Sequence, residues 1–417
     1  MAVPVVIFLA ALLFIATERV HRTKVALLGA TLVLLTQSIG QEQAIESVDF
    51  NTIGLLAGMM LMVKLTECTG VYTYLAIRAG QVSRGRPFAV VASLAVTTAV
   101  LSAFLDNLTT VLLVVPITFL LADALEIDAI PLVIIEIISS NIGGTATLIG
   151  DPPNIMIAGA TGLSFIDFAV NLAPIASLSF VVVTALLYLL YRSQLRVPEA
   201  ARARVMRFDA QRSIEDRDEL VRTVPILVLT IVAFFLHQAL HLEPATVALS
   251  GATCMLLITR QPLERSLAGI EWSTLFFFIG LFVMVGALEQ NGVIDEIADG
   301  IAELTAGNRT AELLGITWAS ALGSGLVDNI PFTATMIPVV EQLQGPDGDD
   351  AYWWALAIGA CFGGNATLIA AAANVAAAGM AARSGRPIGF MTFLKIGLPA
   401  TLISLLLATA YIALRYL

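Results

Sequence analysis

The chain has 417 residues, a length that by itself allows two or three soluble domains. Composition overrides that prior: 58% of residues are hydrophobic, 13% are charged and mean hydropathy is +0.88, whereas a soluble domain carries about 25% charged residues. One globular core cannot hold so much apolar surface, so the chain reads as an all-α polytopic membrane protein with the lipid bilayer as its surroundings. Its apolar runs are helix-length, which excludes the roughly ten-residue alternating strands of an outer-membrane barrel. The net charge of −10 and the lack of a basic face exclude nucleic acid as a partner.

Three cysteines, Cys68, Cys254 and Cys361, form no CxxC, and there are only three histidines. A zinc or iron–sulfur centre is therefore not expected, and no cofactor is predicted beyond Na+ or H+ as a coupling ion. The apolar N-terminus lacks the basic start and small-residue cleavage site of a signal peptide and reads as a retained first helix.

In chain order, spanning helices are predicted at 2–17, 24–37, 51–65, 130–158 and 168–190, then at 220–240, 244–258, 272–288, 352–378 and 391–414. Two further apolar stretches, 88–122 and 311–340, read as too short for two full spans, and each holds an acid–amide pair: Asp106-Asn107 and Asp328-Asn329. Positive charge orients the chain. The segment 192–222 holds eight arginines and is the predicted cytoplasmic loop; Arg19, Arg22, Lys24, Arg78, Arg84, Arg86, Arg260, Arg265, Arg383, Arg386 and Lys395 share its side. That places 19 of the 22 basic residues inside, with acidic loops (Glu42, Glu46, Asp49; Asp295, Glu296, Asp299, Glu303) and the N-terminus outside. The assignment closes only if 88–122 and 311–340 are re-entrant hairpins with the Asp-Asn pair at the tip. A kinked single span would put the arginine-rich loop outside.

The second half repeats the first. Val48-Asp49-Phe50-Asn51-Thr52 matches Ile270-Glu271-Trp272-Ser273-Thr274 at an offset of 222, and the same offset carries Asp106, Asn107 and Pro116 onto Asp328, Asn329 and Pro338. Two residues out of that register, GGTATLIGDPPNIMIAG at 143–159 lies over GGNATLIAAAANVAAAG at 363–379. The predicted organisation is a first repeat, 1–192, with its hairpin at 88–122 and a broken helix at 130–158. A linker, 193–221, follows, and its mixed charge reads as a solvated segment. The second repeat, 222–417, has its hairpin at 311–340 and its broken helix at 352–378. Five crossings per half make the repeats inverted, and inverted repeats with broken helices at the midplane are the architecture of secondary transporters.

An intramembrane charge costs at least about 2.5–3.5 kcal/mol and marks function by default. Asp106 and Asp328 stand at the predicted tips, with Asn107, Thr109, Thr110, Asn329, Thr333 and Thr335 as neighbouring oxygen ligands and hydrogen-bonding groups. The plainer reading, that Asp and Asn cap a helix opening at the tip, is compatible with ion binding. In the string 139–154, Gly143 and Gly144 and then Pro152 and Pro153 break the span, freeing carbonyls for a cation or a helix N-terminus for an anion. The glycines alone are also what close helix packing requires. The second copy replaces Asp151-Pro-Pro with alanines, so the halves are not chemically equal. Glu136 precedes the break, and Lys64, whose repeat partner is Gly286, is the only cation inside a predicted span. Lys64 either snorkels to the surface or pairs with Glu136 or Asp106. Cys361 reads as a small buried hydrophobe. A carboxylate that holds either a proton or a cation is the minimal part of an antiporter.

The strings LSAFLDNLTTVLLVVP (101–116) and SSNIGGTATLIGDPPNIMI (139–157) resemble the ion transporter superfamily, in its ArsB/NhaD branch of arsenite permeases, sodium–proton antiporters and P-protein-like transporters. The resemblance runs over nearly the whole chain and implies inverted repeats, re-entrant hairpins and, often, a homodimer. It implies that the substrate and ion sites are built at the tips and after both glycine pairs: Asp106, Asn107, Thr109, Asn141, Gly143, Gly144, Thr145, Thr147, Asp151 and Asn154 from one half, and Asp328, Asn329, Thr333, Gly363, Gly364, Asn365, Thr367 and Asn374 from the other. Divalent-anion symporters of the same superfamily carry Ser-Asn-Thr at the tips. Aspartate in place of serine disfavours a dicarboxylate and favours cation or proton handling, with Na+ at Asp106 and Asp328 as the one metal expected.

The leading expectation is a proton-coupled exporter of a small inorganic substrate, arsenite-like or Na+, in a bacterial or archaeal cytoplasmic membrane. The alternative is a sodium-coupled anion or di/tricarboxylate transporter, which needs a positive group at the site; Lys64 is its only candidate in the sequence. A channel is disfavoured by the inverted repeat and the paired acids. Enzymatic ATP drive is not expected, because the chain has no GxxxxGK[ST] string.

Overall fold

The computed structural model describes every residue except 1, 18, 196, 206–208 and 345–347. Among the described residues all regular structure is helical. The first half consists of α1 (Ala2–Ala16), α2 (Arg22–Leu35), α3 (Gln41–Glu46), α4 (Phe50–Glu67), α5 (Val71–Val82), α6 (Pro87–Phe104), α7 (Asn107–Leu125), α8 (Ile130–Gly144), α9 (Pro152–Thr161) and α10 (Phe165–Tyr191). After α11 (Glu199–Val205) and a 3-10 turn at Ala210–Ser213, the same order recurs. The second half has α12 (Arg217–Leu236), α13 (Pro244–Ile258), α14 (Leu263–Leu267), α15 (Trp272–Gln290), α16 (Val293–Thr305), α17 (Arg309–Leu326), α18 (Asn329–Leu343), α19 (Ala351–Gly363), α20 (Ala372–Arg383) and α21 (Phe390–Arg415).

Local chemistry places the ends. Proline opens α6, α8, α9 and α13, where its missing N–H costs nothing. Asp49, Asp106, Ser164, Asp216, Asn308 and Asp328 accept from backbone N–H groups at the starts of α4, α7, α10, α12, α17 and α18. The outer faces stay apolar and exposed, as at Leu13, Val181, Leu229 and Leu406. In contrast, α8 from Pro131 and the whole of α19 are buried on every side. These two helices are the axis of the molecule.

The halves are interlocked rather than side by side. Helix α2 packs on α15 and α13 packs on α4, while α20 meets α7 and α9 meets α18. Gly58 and Gly280, one repeat apart, make the first two crossings. A Cβ at Gly58 would stand 2.7 Å from the carbonyl carbon of Ala248, and one at Gly280 would stand 2.7 Å from that of Ala26. Ala26 and Ala248 are themselves repeat mates, so the same small-on-small contact is made twice.

Three expectations change. The sequence predicts ten crossings, but six described helices are long and apolar enough to cross a membrane, or seven if the pair α4–α5, bent by 66°, is one span. Helices α1, α2 and α13 stop at 15, 14 and 15 residues, about 22 Å of rise against a hydrocarbon core of about 30 Å. The predicted broken helices separate into α8 with α9 and α19 with α20. Second, 88–122 is not too short for two spans. It extends to 87–125, and α6 and α7, of 18 and 19 residues, each pass alone. The turn between them spends only Leu105 and Asp106, because the aspartate caps α7 directly. Its counterpart runs from Arg309 to Leu343, and neither α17 nor α18 passes. Third, the linker 193–221, of which 196 and 206–208 lie outside the described residues, is not merely solvated. Leu195, Val197, Ala201 and Ala210 are buried, and Glu215 N–H donates to Thr69 O at the α4–α5 bend (3.0 Å).

Replacing Gly58 or Gly280 by Val forces the interlocked helices apart and is expected to cost about 1–3 kcal/mol each. Thermal unfolding in detergent should show a lowered midpoint for both variants. Gly300→Ala, where a Cβ meets nothing within 4 Å, should leave it unchanged or raised.

Candidate functional site

The site is built where both helix breaks and both hairpin turns meet. Between Gly144 and Pro152 and between Gly363 and Ala372 the backbone leaves the helix. Carbonyls exposed there need donors, since buried backbone groups are almost always paired. Asn154 supplies them in the first half, its Nδ2 donating to Thr145 O (3.2 Å) and Thr147 O (2.8 Å). Asn374, its repeat mate, does the same for Gly364 O (2.7 Å) and Thr367 O (2.9 Å). Each break is then strapped to the neighbouring hairpin arm. Ser102 donates to Ser140 O (2.7 Å) and Ser324 to Ala360 O (2.6 Å). Thr147 donates to Ala103 O, and Thr367 to Gly325 O. The first glycine of each pair lets the arm approach: a Cβ would lie 2.3 Å from Ala99 O at Gly143 and 2.5 Å from Ala321 O at Gly363.

On this frame sits an amide cluster with one carboxylate. Asn107 Nδ2 from the first turn donates to Asp151 Oδ1 (3.2 Å) and to Asn141 Oδ1 (3.2 Å). Asn329 Nδ2 from the second turn donates to the same Asp151 Oδ1 (3.0 Å). Asn141 Nδ2 continues to Asn365 Oδ1 (3.0 Å) and Asn374 Oδ1 (2.9 Å). Asp151 is fully buried, and its Oδ2 meets no N–H or O–H donor among the described residues. The Cys361 thiol, which donates to Asn154 Oδ1 at 3.5 Å, adjoins it. Asn365 Nδ2 is also buried and has no acceptor among the described residues.

Above the cluster lies a cavity of about 30 Å³, lined by Asp106, Asn107, Asn329, Pro152, Arg22 and Glu271, about the room of one water or small ion. Two larger cavities border the same side chains. One, of about 340 Å³, shares Arg22 and includes His21 and Asp328; the other, of about 150 Å³, shares Glu271 and includes Lys64, Glu67 and Thr109.

The structure therefore brings together Asp106, Asn107, Asn141, Asp151, Asn154, Asp328, Asn329, Asn365 and Asn374, with Gly143, Gly144, Thr145, Thr147, Gly363, Gly364 and Thr367 supplying backbone and straps. Thr109 caps beside Asp106, both its N–H (2.8 Å) and its hydroxyl donating to that carboxylate. Thr333 turns away and donates to Asn329 O (2.7 Å). Two residues stand apart. Lys64 pairs with Glu67 (2.9 Å), one helical turn on, with its side chain 40% exposed, so it joins neither Glu136 nor Asp106. Its surface position makes that local pair the shorter reach. Glu136 is buried away from the turns, accepting from Thr118 on α7 while Oε2 has no partner among the described residues.

Sequence reasoning missed Arg22 and Glu271. Arg22 was counted among cytoplasmic loop charges, yet its guanidinium pairs with Asp328 (3.2 Å). Lys64 is thus not the one cation available. Glu271 stands where the first repeat has Asp49; its place at the start of α15, beside the turns, was not visible without the interlocking of the halves.

The citrate transporter family, CitMHS, matches residues 12–359. The chain belongs to this family. An uncharacterized transporter of Mycobacterium tuberculosis is 43% identical over 99% of this chain and 98% of its own length. The 46 kDa membrane protein of Mycobacterium leprae is 41% identical over 100% and 99%. Human P protein is 34% identical over 95% of this chain, which spans 57% of P protein. The crystal structure of the Alcanivorax borkumensis YdaH transporter, whose topology is unusual, superposes with a TM-score of 0.63 at 17% identity, covering 99% and 98% of the two chains, and shares the fold. With the apolar spans, these relatives make the chain an integral membrane transporter of the ion transporter superfamily that its motifs resemble.

Asn154→Ala and Asn374→Ala each strand two buried carbonyls, at a cost of about 2–4 kcal/mol. Both should lower the thermal midpoint in detergent by similar amounts; a loss confined to Asn154 would show that the second break is held by other contacts.

Proposed function

We propose that the chain is a secondary transporter that moves Na+ or an arsenite-type metalloid hydroxide outward in exchange for H+ by alternating access, with Asp151 as the coupling group. One observation supports this above the others: the amides at both hairpin turns donate to one fully buried carboxylate. A substrate carboxylate that sought those amides would find the protein's own already there. An ionised Asp151 draws both turns together through charge-assisted hydrogen bonds, which are roughly twice as strong as neutral ones. A proton on Asp151 weakens that hold, so the turns, and the helices α7 and α18 behind them, respond to its charge. A cation entering the small cavity meets Asp106, Glu271 and the side chains of Asn107 and Asn329 that line it.

The orientation proposed is N-terminus outside and 193–221 cytoplasmic, from the distribution of basic residues. The mycobacterial relatives support a bacterial cytoplasmic membrane, and the family resemblance supports a homodimer. The second reading, a sodium-coupled di- or tricarboxylate transporter, gains from the family's name and from Arg22, the positive group that an anion requires. Against it, Arg22 is already paired with Asp328 and shares its cavity with Asp106 and Glu271.

Purified protein in liposomes loaded with a pH-sensitive dye tests both. Addition of Na+ or arsenite against a pH gradient should move protons in the wild type. Asp151→Asn, nearly isosteric, should abolish that exchange while eluting as folded protein. Proton or sodium movement driven by citrate alone would instead favour the carboxylate reading.

A further inference from the structure

The two turn aspartates are repeat mates, but their surroundings differ. Asp106 is satisfied locally: Oδ1 accepts the Thr109 N–H and Oδ2 its hydroxyl. The position matching Thr109 in the second half is Pro331, which has neither group. Asp328 therefore keeps only the Ile330 N–H on Oδ1 (3.0 Å), and its Oδ2 is left for a partner from elsewhere in the chain. That partner is Arg22, from the first residue of α2 (Nη1 to Oδ2, 3.2 Å). The repeat mate of Arg22 is Pro244, so no second arginine exists to serve Asp106.

Arg22 is held in a defined place. Its guanidinium carbon lies 5.1 Å from the centre of the Phe277 ring, within cation–π range. Its side chain is 22% exposed, and it lines both the 340 Å³ cavity and the 30 Å³ cavity above the amide cluster. Arg22 thus stands between the larger space and the buried site, on a carboxylate that its own turn leaves half satisfied.

We infer that Arg22 is a tethered internal cation that occupies Asp328 when no transported cation is bound and must leave it for a small inorganic cation to bind there. This rests on the proposed cation–proton exchange and deepens it. Arg22 is then a specificity-setting residue: it excludes weakly attracted cations by competing with them, and it neutralises Asp328 in the empty carrier. The ion pair need not stabilise the fold for this role, since half-buried pairs often break even against desolvation.

The test compares wild type, Arg22→Gln, Arg22→Lys, Asp328→Asn and the Arg22→Gln/Asp328→Asn double variant. Each is read by Na+-driven proton movement in liposomes and, independently of transport, by the Na+ concentration that half-maximally raises the thermal midpoint in detergent. If Arg22 holds Asp328 about nine-tenths of the time, removing it lowers the half-saturating Na+ concentration roughly tenfold. Arg22→Lys, which keeps a cation in place, should bring most of that shift back. In the Asp328→Asn background Arg22→Gln should have no further effect, the non-additivity expected of a direct pair. An unchanged Na+ half-saturation in Arg22→Gln, with wild-type exchange intact, overturns this inference and leaves the proposed function standing. No Na+ response of either readout in the wild type defeats the Na+ form of the proposed function and this inference with it, and arsenite-driven proton movement in the same liposomes would then leave the metalloid form standing. Citrate uptake by the wild type that Arg22→Gln abolishes overturns both, and makes Arg22 an anion ligand.

Discussion

The structure turns on satisfying unwound backbone at the depth of the bilayer. Water is scarce there, and irregular backbone survives only where protein groups pair with it. Two asparagines meet this demand, Asn154 and Asn374, each donating its amide to two carbonyls of its own break. Their neighbours Ser102, Ser324, Thr147 and Thr367 fasten each break to the adjacent hairpin arm. Because the straps occur in both halves, the breaks are rigid and the turns are held against them. The amide cluster is a consequence: once the side chains needed for backbone pairing are in place, Asn141 and Asn107 extend the same network towards Asp151.

Much of this was legible in the sequence because its signals are local. A proline or glycine fixes a helix end, and Asp-Asn followed by Thr reads as a cap. The constant offset between halves exposes the repeat even though apolar residues dominate it. Asp151, Asn154 and the turn pairs were found by their cost, since polar groups are rare in such helices unless they have work there. The ends of the short helices were legible as well, because polar runs begin at Thr17, Thr36 and Thr259, just past α1, α2 and α13. That helices of 14 or 15 residues fall short of the hydrocarbon core, and so do not count as full spans, was not read from their apolar composition. Nor was the meeting of residues distant in the chain. Arg22 lies 306 positions from Asp328, and in the sequence it is one arginine among loop charges. Lys64 drew attention by sitting in an apolar run, but its nearest acid, Glu67, is one turn away and sufficed.

Symmetry builds the frame, and departures from it make the chemistry. The straps and the close glycine approaches are duplicated. Three groups that set the chemistry at the centre are not: Asp151 faces Ala371 across the repeat, Arg22 faces Pro244 and Thr109 faces Pro331. A frame duplicated in both halves can exchange conformations between two equivalent arrangements, as inverted-repeat transporters require. A second copy of Asp151 would not suit that cycle. Two carboxylates at the position of Asp151 would repel in a dry interior, and both turn amides would no longer converge on one acceptor.

The carboxylate shared by both turn amides sits on the broken helix and not on a turn for a related reason. A charge at a turn can be met by local donors, as Thr109 meets Asp106, and it then conveys nothing to the other half. Asp151 has no such local cap: no side-chain oxygen of its own closes onto the start of α9. Its carboxylate is instead met by one amide from each half. Whatever changes its charge therefore changes a bond in both repeats at once. A group placed to be read by both halves is what coupling needs, and the break in the helix is what makes room for it.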